Sequence, residues 1–442
     1  MTSEGSGVGR VDGLAVFVPQ TAVGDVAEIT IVKVLKSYAY GIVKRLIVPS
    51  PDRIMPDCGV FSQCGGCAFR HIRYDAELRI KDGFVRDAFA RIGGLSPEFE
   101  PILGTAQTSG YRNKAQYPVG LIDGKPVCGF YAKRSHRIVP AIKCALQPKE
   151  FEPILSRIMA YVLERHIPVY DEKTGRGLLR HIYLRMGAYS RQLQIVLVVS
   201  KRCDGVFETL TAQLAHTFKD IKSVVLNINV ANTNVIMGSE CLTLFGSGTI
   251  SDTMCGLSID LSPLSFYQVN TRQAENLYGI AKDYAQLGGG ETVLDLYCGT
   301  GTIGLGLASH ARQIIGVESV EQAVRDAQEN ARINGVVNAR FICADAAHAA
   351  KKLQSEKALP DVVVLDPPRK GCDREVLQTV AGLAPSRIVM ISCNPATAAR
   401  DCAILEQSDY RTVRARAVDL FPRTVHVETV VLMSRVFRDC VR

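Results

Sequence analysis

The chain has 442 residues, enough for two or three domains, and is 47% hydrophobic and 22% charged, an ordinary globular balance with no apolar run of transmembrane length. Net charge is +8, and residues 1–150 carry 20 Lys and Arg against 14 Asp and Glu, which favours a polyanionic partner for the N-terminal third. Met1-Thr-Ser-Glu-Gly lacks the basic-then-apolar pattern of an export signal, so a cytoplasmic protein is expected, and 14 cysteines in a reducing compartment point to metal or catalytic use for a few of them rather than to disulfides.

Residues 7–50 read as short strands separated by turn residues: Ala15 to Pro19, Val26 to Leu35 and Tyr38 to Leu46, with a first strand that is short or missing. This is the pattern of a small OB-type β-barrel, often a nucleic-acid module. Pro49, Pro51 and Pro56 make an extended linker, residues 57–75 form a cysteine-rich loop, and Tyr74 to Ile92 has helical spacing. From about 100 to 260 a mixed α/β region holds the strands Arg180–Met186, Gln192–Val199 and Ser223–Val230. The expected domains are therefore 1–52, 53–261 and 262–442.

From 262 onward strands alternate with helices. Strands are expected at 292–297, 313–318, 339–344, 362–366, 387–392, 411–419 and 425–434. Helical stretches separate the first five. A short connection joins the last two, which places one antiparallel strand at the edge of a seven-stranded, doubly wound, Rossmann-like sheet. In such sheets ligands bind at the carboxyl ends of the strands. Here the crest is acidic: Asp295, Glu318, Asp345 and Asp366 close four successive strands, and Gly299-Thr-Gly301-Thr-Ile-Gly304 lets backbone approach a ligand at a helix N-terminus. The glycine spacing alone also fits NAD. Four carboxylates instead suit an adenosine joined to a cationic group, as in S-adenosylmethionine. Strand 387–392 ends in Ser392-Cys393-Asn394-Pro395, setting a thiol on the same crest.

These residues resemble the bacterial RNA 5-methyluridine methyltransferases, in particular the branch that modifies 23S ribosomal RNA and carries an iron–sulfur cluster. The resemblance rests on residues 7–50, which look like its TRAM domain. It rests also on Ser265-Phe-Tyr-Gln268-Val-Asn270, Asp295-Leu-Tyr-Cys-Gly-Thr-Gly, Leu365-Asp-Pro-Pro-Arg-Lys-Gly, Ile391-Ser-Cys393-Asn-Pro and Asp419-Leu-Phe-Pro-Arg-Thr-Val-His-Val-Glu428. It implies S-adenosylmethionine contacts from Gln268, Tyr297, Thr302, Glu318, Asp345 and Asp366. It implies Cys393 as a nucleophile toward C6 of uracil and Glu428 as the base that later takes the C5 proton.

Cys58-x5-Cys64-x2-Cys67, with Cys144 or Cys128 downstream, permits zinc or an iron–sulfur cluster by spacing alone. The resemblance implies a [4Fe–4S] cluster on Cys58, Cys64, Cys67 and Cys144, holding the central domain together. RNA contacts are expected from Lys33, Lys36, Lys44, Arg45, Tyr38 and Tyr40, and from Tyr111–Lys114 and Lys133–Arg137. Ribosomal RNA is the expected partner and transfer RNA the second, with no membrane and a monomeric chain. Two other classes compete. One is a non-catalytic RNA-binding assembly factor, which an intact Cys393 and Glu428 argue against. The other is a small-molecule C-methyltransferase, which leaves the N-terminal domain unexplained.

Overall fold

The protein is described by a computed structural model over residues 1–356 and 358–436. They form two compact units, one of residues 1–56, 68–106 and 273 onward, the other of 57–67 and 107–272. No helix among the described residues is long and apolar enough to cross a membrane.

The first unit opens with β1 (Ser6–Val11), β2 (Leu14–Pro19), β3 (Val26–Val34) and β4 (Tyr38–Val48), ordered β1-β2-β4-β3. The first strand is therefore present. Asp12 and Gly13, both with positive φ, make the two-residue hairpin to β2. Alternate residues Val16 and Val18 pack with Ala39 on the inner face. Helix α1 (Tyr74–Ala88) follows, extended by a π turn over Phe89–Gly93 that Gly94 ends in the left-handed conformation. Then comes β5 (Glu98–Leu103).

The second unit is built on β6 (Lys114–Ile122), β7 (Lys125–Tyr131), β8 (Ile138–Pro140), α2 (Phe151–Glu164), β9 (Leu179–Met186), β10 (Leu193–Val199), α3 (Glu208–Thr217), β11 (Ile221–Ile228) and β12 (Glu240–Gly246). Its seven-stranded sheet runs β12-β11-β10-β9-β6-β7-β8. Strands β9 and β10 are buried at every position; β10 reads as a near-continuous apolar run, whereas β9 buries Arg180, His181 and Arg185 among its apolar residues. A separate hairpin, β13 (Ile250–Met254) and β14 (Leu257–Leu261), closes this stretch.

Helix α4 (Thr271–Ala285), whose first two residues fall in the second unit, leads into β15 (Thr292–Leu296), α5 (Thr302–Leu307), β16 (Gln313–Glu318), α6 (Glu321–Ile333), β17 (Ala339–Cys343), α7 (Ala346–Ser355), β18 (Val362–Leu365), α8 (Arg374–Leu383), β19 (Arg387–Ser392), α9 (Pro395–Glu406), β20 (Tyr410–Val418) and β21 (Glu428–Arg435). All seven expected strands form, in the order β17-β16-β15-β18-β19-β21-β20-β5. Two features differ from expectation. The antiparallel strand β21 is not at an edge: the chain passes over to β20 and returns, inserting β21 between β19 and β20. An eighth strand, β5, pairs parallel to β20 and brings residues 68–106 into this unit rather than into a central domain.

Candidate active site

The loop after β15 lines the centre of the crest. Asp295 is fully buried, and its Oδ2 accepts from Gly304 N at 2.9 Å while Oδ1 has no partner. Burial, with the Asp366 and Glu318 charges added, lifts its carboxyl to about 7. A Cβ on Gly304 would stand 2.9 Å from that carboxylate and from Ile314, and one on Gly301, whose φ is +81°, 3.0 Å from the Phe341 ring. Glycine is thus required at 304 by the close approach of β15 and β16 to α5, and at 301 by its left-handed backbone and the nearness of α6 and β17.

Glu318 ends β16 and accepts from Gly299 N at 3.2 Å and Val320 N at 2.9 Å, which ties the glycine turn to the second strand. Asp345 caps α7 through Ala347 N at 2.9 Å and remains exposed. Asp366, just past β18, is pushed up to about 7 by burial. Thr302 opens α5 and is half-buried. Tyr297 takes a left-handed φ of 65°, and its hydroxyl, raised by burial, lies against the Cys372 thiol. Gln268 belongs to the second unit, where Asn113 Nδ2 donates to its carbonyl at 2.9 Å.

Cys393 and Glu428 meet across the sheet. Ser392 pairs with Thr429 in the β19–β21 register, so Cys393, one residue past β19, faces Glu428, the first residue of β21. Direct neighbours in antiparallel pairs lie about 4.5–5.5 Å apart at Cα. Glu428 is 5% exposed, and burial with the Asp366 charge lifts its carboxyl to about 8, against the opposing pull of Arg369. Burial, then Glu428, push the Cys393 thiol up to about 11, while Arg369 draws it down. Arg369 Nη2 lies 3.3 Å from His426 Nε2, two residues before Glu428.

Local chemistry fixes both signature loops. Asn394 caps α9 through Ala396 N at 3.1 Å with Pro395 at the first helical position, and its Nδ2 donates to the Arg369 carbonyl at 3.2 Å. Buried Asp401 accepts from Cys372 N at 2.8 Å and pairs with Arg400 at 2.6 Å. Arg400 also donates to the Lys370 carbonyl at 3.0 Å. Asp401 and Arg400 carry no motif signature and escape a sequence reading.

The four cysteines Cys58, Cys64, Cys67 and Cys144 all lie in the second unit, partly exposed. Burial raises the Cys64 thiol, further raised by Cys58. It also raises Cys144, on which both Cys64 and Cys58 act. Backbone N–H groups are aimed at these sulfurs: Gly66 N is 3.4 Å from Cys64 Sγ, and Leu146 and Gln147 serve Cys144. Cys64 and Cys144 thus have N–H donors of the kind that serve a thiolate ligand. Among the described residues no three His, Cys, Asp or Glu side chains are arranged to hold a single metal ion. Cys128 is buried on β7, and burial alone lifts it to about 12.

On the N-terminal sheet, Phe17, Tyr38 and Tyr40 form one aromatic cluster with centroids 5.5–5.9 Å apart. Of the basic residues there, Lys44 and Arg45 both pair with Glu28, at 2.6 and 3.6 Å, while Lys33 and Lys36 are exposed and have no such pairing among the described residues. His136 pairs with Glu172 at 2.8 Å and stacks on Tyr131.

A family model described as tRNA (Uracil-5-)-methyltransferase matches residues 153–436, and a TRAM domain model matches 1–44. An uncharacterized RNA methyltransferase of Halalkalibacterium halodurans is 41% identical over 435 residues, covering 98% of this chain and 95% of that one. One from Clostridium tetani is 40% identical over 434 residues, with 98% and 94% covered. Among solved structures, the Pyrococcus abyssi tRNA (uracil-54, C5)-methyltransferase in complex with S-adenosyl-L-homocysteine is similar at a TM-score of 0.78 and 27% identity, covering 98% of each chain.

Proposed function

Because the chain belongs to the tRNA (uracil-5-)-methyltransferase family and is an S-adenosylmethionine-dependent RNA methyltransferase, we propose that it methylates C5 of a uridine in 23S ribosomal RNA through a covalent bond between Cys393 and C6 of the ring. The juxtaposition of Cys393 and Glu428 across the β19–β21 register carries this reading.

C5 of uracil is a weak nucleophile. Addition of the Cys393 thiolate forms an S–C6 bond, and the C5=C6 electrons pass to O4 as an enolate. S-adenosylmethionine supplies the methyl group. Asp366, Glu318, Asp345 and the buried Asp295 give the crest the negative charge that a sulfonium and an amino group require, with Tyr297 and Thr302 as further contacts. Glu428 then takes the C5 proton, the C5=C6 bond reforms, and Cys393 leaves as thiolate. Arg369 lowers the cost of each thiolate stage by its charge. The target base must leave its stack to reach Cys393, so an unpaired or flipped uridine is the substrate.

Mass spectrometry of nucleosides after reaction with labelled S-adenosylmethionine tests the reading. Labelled 5-methyluridine from ribosomal RNA supports it. Label from tRNA alone keeps the chemistry and moves the substrate, a second reading that the similarity to the Pyrococcus abyssi tRNA enzyme favours. No label from either overturns both.

Cys58, Cys64, Cys67 and Cys144 would hold a [4Fe–4S] cluster with a structural role, since the methyl transfer moves no net electrons. Protein purified without oxygen should contain about four iron and four sulfide per chain. Zinc at about one per chain would replace this assignment. The chain acts as a monomer in this reading, with a solution mass near 48.2 kDa.

A further inference from the structure

Glu428 can take a proton only if its carboxyl is held still, and the segment before it, residues 419–427, has no regular structure. What holds that segment is a face of α1. Tyr74, Glu77 and Lys81 lie at i, i+3 and i+7, one stripe of the helix. Lys81 and Glu77 are fully buried, as is Asp419. Lys81 Nζ reaches Asp419 Oδ1 at 2.6 Å, Glu77 Oε1 at 2.8 Å and the Phe421 carbonyl at 3.1 Å. Tyr74 donates its hydroxyl to Asp419 Oδ2 at 2.8 Å. Glu77 accepts from Arg423 N at 2.6 Å, and the Arg423 guanidinium lies 3.5 Å from the same carboxylate and 3.0 Å from the Ile72 carbonyl. The carbonyl of Arg423 accepts from Ala68 N and Phe69 N. Two cations and two anions thus form a charge-balanced set that pins the first half of the connection from β20 into β21, residues 419–423.

We propose that Lys81 is a positioning residue for the proton-abstraction step. By binding Asp419 and the Phe421 carbonyl together, it sets where β21 begins and hence the aim of the Glu428 carboxyl at the C5 proton. Lys81 touches neither substrate nor cofactor in this account; it acts through the backbone of 419–428. The inference rests on the proposed role of Glu428, and the experiment separates the two.

Lys81→Met removes the cation at nearly constant length. With labelled RNA and S-adenosylmethionine, Lys81→Met should accumulate a covalent protein–RNA complex on denaturing gels and lower steady-state turnover by tenfold or more. First-turnover methyl transfer and S-adenosylmethionine affinity should change by less than threefold. Glu428→Gln is the reference: if it accumulates no complex, the base assignment has failed before Lys81 is judged. If Glu428→Gln accumulates complex and Lys81→Met does not, or if Lys81→Met slows methyl transfer and turnover equally, the positioning role is overturned. Should Lys81→Met fail to fold, Lys81→Met/Asp419→Asn restores charge balance and Tyr74→Phe removes the bond to Asp419 together with the one its hydroxyl accepts from Thr105 N at 3.0 Å. Both should still accumulate complex, and its absence from both overturns the proposal.

Discussion

At the residue scale the site is set by three lifted carboxyls and one lifted thiol. Glu428 must be ionised to accept a proton, and its carboxyl stands near 8. Where proton abstraction limits turnover, kcat is therefore expected to rise with pH through about 8 and level off, whereas formation of the covalent complex, which needs the Cys393 thiolate, should go on rising toward about pH 11. Glu428→Gln should lose about 10²–10⁴ in kcat. Cys393→Ala should lose about a thousandfold or more and form no covalent complex, while calorimetry finds S-adenosylmethionine binding retained. Asp295 and Asp366, near 7, and Glu428, near 8, hold protons in the folded protein that the unfolded chain releases above about pH 4. The folded state thus binds more protons across about pH 4 to 8. Thermal stability without ligand should fall as pH rises through that window, and melting curves at constant ionic strength check this. A cationic ligand favours the ionised crest, so its affinity should rise over the same range.

At the element scale, glycines and strand insertion dominate. Gly301→Ala places a Cβ in a left-handed backbone and 3.0 Å from Phe341, which should cost about 1–3 kcal/mol of stability by denaturant titration and weaken cofactor binding. The strands of the nucleotide sheet were legible because each is a short apolar run closed by a polar or glycine turn. The acidic crest was legible for the same reason: Glu318, Asp345 and Asp366 stand where such runs stop. The position of β21 was not legible. A short connection says only that two strands are neighbours, not on which side a third lies. Strand β5 was missed because Glu98-Phe-Glu-Pro-Ile-Leu has two charged residues in six, contains a proline and pairs with a partner some 300 residues away. Glu77 and Lys81 at i,i+4 have the look of an exposed helix pair, yet both are fully buried. Only their neighbours in space, Asp419 and Arg423, reveal why.

For the molecule as a whole, the functional sheet is assembled from distant parts of the sequence. A fragment starting at residue 262, where composition suggests a domain boundary, would lack β5 and α1. It would expose the outer edge of β20 and leave Asp419 buried without Lys81. Such a fragment should be insoluble or aggregate, whereas the full chain should remain dispersed, as light scattering would report. The sequence showed three domains in a row. The structure shows the second unit placed, along the chain, between portions of the first. That interleaving has no local sequence signature, since each piece reads as an ordinary strand or helix.

The late place of β21 in the chain carries a consequence for synthesis. Translation proceeds at roughly 5–20 residues per second, so β5 emerges roughly 15–60 s before β20 arrives to cover it. During that interval the ribosome has made the acidic crest and then Cys393, but not the strand that slots between β19 and β20. Glu428 is among the last described residues to leave the exit tunnel. On the proposed mechanism a nascent chain therefore holds Cys393 before it holds Glu428, and the two face each other only after β21 has been threaded between β19 and β20.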